Sequence, residues 1–335
     1  MLPLSKVWKG IAEFPGFIQS YGLAGGIRRW GGICYTQATS SVSGRSIFDA
    51  EWDLCIILDA CRADELQRFQ DQPEYDWLMD VDRYPSIASC TWNWLPRTLA
   101  ATPDDLLAET TYVCANPFSE RFCEPAQFDR LDEVWRSAWD DDLGTVHPRS
   151  VTDRAIAHGR ERGSEGGGRL LVHYLQPHVP FLVSGATTSS RSNFTHDRES
   201  TPDAWDRVTA GNLDCDRAIA MYRKTLVEVL DEVTLLLSNI DAERAVVTAD
   251  HGEAFGERGL YGHPNDIDLS CLTQVPWVET RGTDEWTHIP DVDTSRDGRG
   301  AGGNKENEAS VNKRLQALGY FDTDPGAATN SESGT

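Results

Sequence analysis

Three strand-like runs in this 335-residue chain each end in a side chain able to hold a metal ion or an anion, and this convergence narrows what the chain can fold into. Trp52 to Leu58 (WDLCIIL) runs into Asp59. Arg169 to Leu175 (RLLVHYL) is followed at once by Gln176, Pro177 and His178, and Ala245 to Ala249 (AVVTA) runs into Asp250-His251-Gly252-Glu253. Short apolar runs with turn residues behind them read as buried strands of a parallel sheet. In open α/β sheets, ligands bind at the carboxyl ends of the strands. An Asp, a His and an Asp-His pair at three such ends are therefore expected to meet in one place.

The length suffices for a sizeable core, so one large domain, or one domain plus tails, is the natural expectation. The formal charge of −22 comes from 53 acidic against 31 basic residues, and only five of the basic residues are Lys. An acidic, Lys-poor composition suits a protein that stays hydrated at high salt, as in a halophile, or an ordinary acidic intracellular protein. It argues against sequence-independent nucleic-acid binding, because no stretch supplies the basic footprint that phosphate backbones require. No window reaches the ~18–20 consecutive apolar residues of a membrane span. The N-terminal MLPLSKVWKGIAEFPGF lacks the apolar core and small-residue cleavage site of a signal peptide. The eight cysteines are scattered without a CxxC pair and read as reduced thiols. A cytoplasmic protein is the expectation from these features. The eleven tryptophans leave room for an aromatic interface but specify no oligomeric state.

Along the chain, residues 1–47 read as an extension packed on the core and 48–285 as the main domain. Residues 286–335 read as a flexible acidic tail carrying a short helix near 311–321. Apolar residues from Leu213 to Leu237 keep helical spacing, which predicts one long amphipathic helix over 208–240. Trp135 and Trp139, four apart, suggest another helix face. Stretch 184–203 reads as a surface loop, and 281–310 as flexible. Helix followed by strand, repeated, means an α/β fold with a mainly parallel sheet.

The strongest local signal is Asp250-His251-Gly252-Glu253, followed by Gly256-Glu257 and Tyr261-Gly262-His263. An Asp and a His side by side at a strand end, with a Gly to let the backbone turn, can offer an oxygen and a nitrogen to one divalent ion. His263, again flanked by Gly, can return to the same place.

The string ADHGE…GE…YGH resembles the C-terminal metal motif of the sulfatase and phosphodiesterase branch of the alkaline phosphatase superfamily. LDACRAD at 58–64 resembles that superfamily's first metal-Asp strand, in the form seen in sulfatase-like proteins of haloarchaea, and HYLQPHVPF at 173–181 its central histidine motif. The resemblance covers roughly residues 50–280. It implies an α/β sandwich with a large, mainly parallel central sheet flanked by helices. It also implies an ion held by Asp59, Asp250 and His251 at the carboxyl edge of that sheet.

The family places its nucleophile between the first and central motifs, where Ser89-Cys90-Thr91 stands. A formylglycine-type sulfatase needs Cys-x-Pro-x-Arg, but Cys90 is followed by Thr91, Trp92, Asn93 and Trp94. Thr91 fits instead as the equivalent of the threonine of phosphodiesterase-like members, both ligand and nucleophile. His178 and His263 would bind the transferred group, protonate the leaving oxygen or hold a second ion. Arg62 would offer a planar fork to a phosphate or sulfate, or else form a surface salt bridge. Glu253 and His173 are weaker candidates, the latter read as a satisfied core histidine. The mixed shell favours Mn or Zn over Mg or Ca, one or two per site. The expected activity is a metal-dependent hydrolysis of phosphate or sulfate esters on a small-molecule, glycan or lipid substrate. A phospho-alcohol head-group transferase and a non-catalytic scaffold are the alternatives.

Overall fold

The structure, a computed structural model, describes residues 26–27, 42–165, 167–182, 203–292 and 307–320. The readings of residues 1–41 as an extension, of 184–202 as a surface loop and of 293–306 and 321–335 as flexible tail lie outside these, apart from Gly26 and Ile27. Among the described residues, seven strands make the main sheet: β1 (Leu54–Leu58), β2 (Asp82–Pro85), β3 (Thr110–Cys114), β4 (Arg130–Glu133), β5 (Arg169–Tyr174), β6 (Ala242–Thr248) and β7 (Gln274–Gly282). Their order is β2-β7-β6-β1-β5-β3-β4. Strands β6, β1, β5, β3 and β4 pair in parallel, while β7 runs antiparallel to both β6 and β2. This is the mainly parallel sheet expected from the sequence, with an antiparallel edge added.

The central strands explain their own position. Every residue of β1 is buried, and β5 is buried from Leu170 to Tyr174, so both read as continuous apolar runs with covered faces. The register sets Ile57 beside His173 on one side and Thr248 on the other. Asp59, His173 and the Asp250-His251 pair thus emerge at the carboxyl ends of three adjacent strands, and Cys114 of β3 lies beside His173.

Helix α1 (Ala63–Leu66) follows β1, α2 (Thr91–Ala101) precedes β3, and α3 (Pro148–Glu165) leads into β5. A short helix, α4 (Ala204–Thr209), precedes the long helix expected over 208–240, which runs as α5 from Cys215 to Leu237 and so starts later than its apolar period suggests. Gly211 between them takes φ +77°, and the Asp214 carboxylate caps α5 by accepting from the Arg217 amide. These are a stop and a start signal that the apolar period running through them conceals. Within α5, Tyr222, Leu226, Val229, Leu230, Val233 and Leu236 form the buried stripe. Trp135 and Trp139 do not share a helix either: the turn Trp135–Ala138 ends where Trp139 enters a two-residue strand.

The stretch after β7, read as flexible, is tied down at its start. The Thr283 and Glu285 amides donate to the carbonyls of Leu237 and Ser238, Arg160 pairs with Asp284 at 2.8 Å, and His288 meets Asp153 at 2.6 Å. A last helix, α6 (Glu308–Ala317), packs on the domain through Val311 and Leu315. Leu230 lies on the fully buried stripe of α5. Leu230→Ala is expected to lower unfolding free energy by about 2–5 kcal/mol, measured by denaturant titration.

Candidate metal and transfer site

Thr91 is the first residue of α2. An eleven-residue helix starts there, so its first amides lack intrahelical partners and the positive end of its dipole lies at this residue. Its Oγ1 donates to Asp250 Oδ2 at 2.7 Å and lies 3.4 Å from Asp59 Oδ2 and 3.2 Å from His251 Nε2. All four residues are fully buried. Neighbouring Ser89 has a different task, bonding the Pro264 carbonyl and the Ile267 amide. The Cys90 thiol is pushed up to about 12 by burial, which leaves it a protonated, unreactive group.

The two carboxylates are held from behind. Asp250 Oδ1 accepts from the amides of Ala60 and His251, and Ser86 Oγ bonds the Asp250 carbonyl. Asp59 Oδ2 accepts from Asn116 Nδ2 at 2.9 Å, whereas Asp59 Oδ1 has no hydrogen-bond partner. Ala60 pays for the sharp exit from β1 with φ +61°, and Tyr222 fixes that turn by bonding both the Ala60 carbonyl and the Arg62 amide. His251 Nδ1 lies 2.8 Å from the Gly252 carbonyl, so it carries the hydrogen and Nε2 is turned toward the carboxylates.

Gly252 does not serve the turn as expected; it has no positive φ. An added Cβ would lie 2.0 Å from the Cys271 carbonyl oxygen. Close approach of two backbones, rather than turning, requires glycine here. Gly262, before His263, does take φ +77°.

His173 is not the satisfied core histidine that its place inside a strand suggested. Its Nδ1 meets Tyr112 OH at 2.9 Å, but Nε2 is buried without a hydrogen-bond partner, 3.7 Å from Asp59 Oδ2. Among the described residues, Asp59, His173 and Asp250 form a group whose ligand atoms lie close enough to share one ion. The two carboxylates belong both to this set and to the set containing Thr91 and His251. Burial would raise the Asp59 carboxyl, yet His178, His173 and His251 together hold it well below the usual carboxylate range. Burial works against a charged His251, but Asp250 and Asp59 raise it overall.

His178 and His263 approach each other at 3.3 Å through their Nε2 atoms. His178 Nδ1 lies on the Val179 carbonyl and His263 Nδ1 lies 2.9 Å from Glu253 Oε1. Two facing Nε2 atoms with their Nδ1 hydrogens already committed call for a shared proton, cation or ligand oxygen. Glu253 also accepts from Trp205 Nε1, and burial raises it to about 7.

Arg62 is a correction. It does not offer its fork to this site. Its Nε and Nη2 bond the Asp64 carboxylate at 2.9 and 2.7 Å, while Nη1 reaches the Glu253 carbonyl and Glu257 Oε1. Its guanidinium lies 4.3 Å from the centre of the Phe255 ring. The residue braces the loop that carries Glu253, and it is buried rather than on the surface. Asp64 is half-exposed and serves this brace.

Two contributors carried no sequence signal strong enough to find. Asn116 sits two residues beyond β3, a strand-end position like the others but in a stretch without a recognisable motif. Tyr320 comes from beyond α6, 229 residues from Thr91, and sets its hydroxyl 3.2 Å from Thr91 Oγ1.

No protein-family model matches the chain, and no curated protein matches it. Among solved structures it is similar to the soluble domain of lipooligosaccharide phosphoethanolamine transferase A from Neisseria meningitidis, with 15% identity, TM-score 0.46, and 70% of this chain and 77% of that one covered. It is also similar to a 2-O GAG sulfatase, with 10% identity, TM-score 0.43, and 69% and 65% covered. A third is a protein in the alkaline phosphatase superfamily from Vibrio parahaemolyticus, with 14% identity, TM-score 0.36, and 73% and 62% covered. These likenesses concern the course of the backbone alone.

Two variants separate site from brace. Asp250→Ala is expected to abolish stoichiometric Mn or Zn retention, measured by elemental analysis after reconstitution and desalting. Arg62→Met is expected to retain the ion while losing about 1–3 kcal/mol of stability through unpaired polar groups in its loop.

Proposed function

We propose that the chain is a metal-dependent enzyme that transfers the phosphoryl or sulfuryl group of an ester through Thr91, with water as the ordinary acceptor. The observation that carries this reading is the Thr91 hydroxyl, fully buried at a helix N-terminus and within 3.4 Å of two carboxylates and an imidazole. A merely structural threonine has no need of two buried acids.

The donor set fits a divalent cation. Asp59 Oδ1 and His173 Nε2 are buried polar atoms without hydrogen-bond partners, a costly arrangement unless something else satisfies them. Asp59, Asp250, His251 and Thr91 would hold the ion, with His173 beside them. Mixed oxygen and imidazole donors suit Mn or Zn better than Mg or Ca. When bound, such an ion supplies Lewis-acid stabilisation and lowers the pKa of a coordinated hydroxyl.

The chain's own groups account for the rest. Asp250 Oδ2 accepts the hydrogen of Thr91 Oγ1. The Thr91 oxygen then bonds to the phosphorus or sulfur centre as the bond to the leaving alcohol oxygen breaks. The His178–His263 pair is placed to return a proton to that oxygen, with Glu253 orienting His263. The positive end of α2, which begins at Thr91, would favour the charge that develops on the transferred group. Attack of water on the Thr91 ester releases the group and restores the hydroxyl. An acceptor alcohol in place of water would make the same site a head-group transferase.

The test uses paired aryl phosphate diester, phosphate monoester and sulfate ester substrates with wild type, Thr91→Ala and His263→Ala. Thr91→Ala is expected to lower kcat by at least about 10³-fold while leaving folding intact, and His263→Ala by about 10²-fold. Glycerol in the assay would be phosphorylated or sulfated if an acceptor competes with water. Turnover undiminished in Thr91→Ala would refute the assignment.

A further inference from the structure

We propose that the C-terminal segment 307–320 is a built-in occupant of the substrate pocket, with Tyr320 standing where the alcohol part of the ester goes, so that substrate must displace it. The proposal rests on Thr91 being the attacking group.

Oγ1 of Thr91 has two kinds of neighbour. On the acidic side are Asp59, Asp250 and His251, already described. The other close contact is Tyr320 OH, at 3.2 Å. A reacting centre poised for attack sits about 3–3.5 Å from its nucleophile. The phenol oxygen lies at that same distance, so a phosphorus or sulfur atom there would compete with it for space.

The ring behind that oxygen is received by a fitted pocket. It stacks on His178 with centroids 5.3 Å apart and 17° between planes, and meets the face of Phe118 edge-on at 4.5 Å and 67°. His263 lies 5.7 Å away. The two histidines assigned to the leaving oxygen thus embrace an aromatic alcohol supplied by the protein itself. Phe118 extends the same wall to Trp92 and Phe122. A flat ring bearing an oxygen is the shape this subsite takes.

The segment is attached in a way that permits release. Val311, Leu315 and Leu318 are its buried apolar anchors. Arg121 bonds Asn312, and Arg314 lies over Trp135 and Trp139. A ten-residue helix has little stability of its own, so docking rather than propensity maintains it. Gly319, at φ +84°, ends it and turns Tyr320 inward. None of the metal-site donors named above comes from this segment, so its departure leaves them in place.

The experiment compares full-length, Mn-reconstituted wild type, Tyr320→Phe and Tyr320→Ala. It measures phenylphosphonate affinity by calorimetry and kcat and KM on an aryl phosphate ester. If the closed segment fills the pocket nine times in ten, removing the ring tightens apparent binding about tenfold. Tyr320→Ala is therefore expected to bind phenylphosphonate about tenfold more tightly and to lower KM, while Tyr320→Phe, which keeps the ring, stays within about twofold of wild type. Loss of turnover in both variants, with unchanged phenylphosphonate affinity, would make the phenol a participant in the reaction and overturn the proposal. Identical affinity and kinetics in all three proteins would overturn it too. Repeating the calorimetry in the Thr91→Ala background separates the two readings. Tighter binding there without turnover in any protein would sustain the occupant and refute the enzyme.

Discussion

Two carboxylates, Asp59 and Asp250, are packed without solvent access against one hydroxyl, and the surrounding structure is organised around that placement. Buried anions in close company are costly unless compensated. The compensation is visible in every element that reaches the spot: three histidines around Asp59, an asparagine on its Oδ2, and two backbone amides on Asp250 Oδ1. The parallel sheet makes this possible, because it brings several strand ends to one edge while burying the strands themselves. Ala60 holds a left-handed conformation at the exit of β1, and Tyr222 ties that turn to α5. The core thereby supports a left-handed backbone beside Asp59.

Much of the frame was legible in the sequence because each motif is continuous. A strand that is apolar on both faces, followed immediately by Asp, His or Asp-His, reports both its burial and its ending. The order of the three runs conveyed a mainly parallel sheet, and Asp59, Asp250 and His251 are brought together as those strand ends imply. What escaped was discontinuous or double-valued. His173 lies within a strand, where periodicity says only that it is inside and cannot say that Nε2 lacks a partner. Arg62 follows Asp59 closely enough to suggest an anion contact, but Asp64 and Glu257 use its donors. The break between α4 and α5 hides under an unbroken apolar stripe, because Gly211 and Asp214 are polar-face residues in either reading. Gly252 was expected for a turn and is needed for closeness to Cys271.

Tyr320 shows the limit most clearly. Nothing local distinguishes it from any tyrosine after a short helix. Its meaning comes from a contact across almost the whole chain, made once α6 has docked. The same docking sets an aromatic alcohol beside the Thr91 hydroxyl and the two facing histidines.

On the proposed reading, one divalent ion sits between these carboxylates and the threonine. Anomalous diffraction at the Mn or Zn edge, from crystals of reconstituted protein, would locate it. A single strong peak within coordination distance of Asp59, Asp250, His251 and Thr91 is the predicted result. Peaks confined to surface carboxylates, with no density between Asp59 and Asp250, would contradict it.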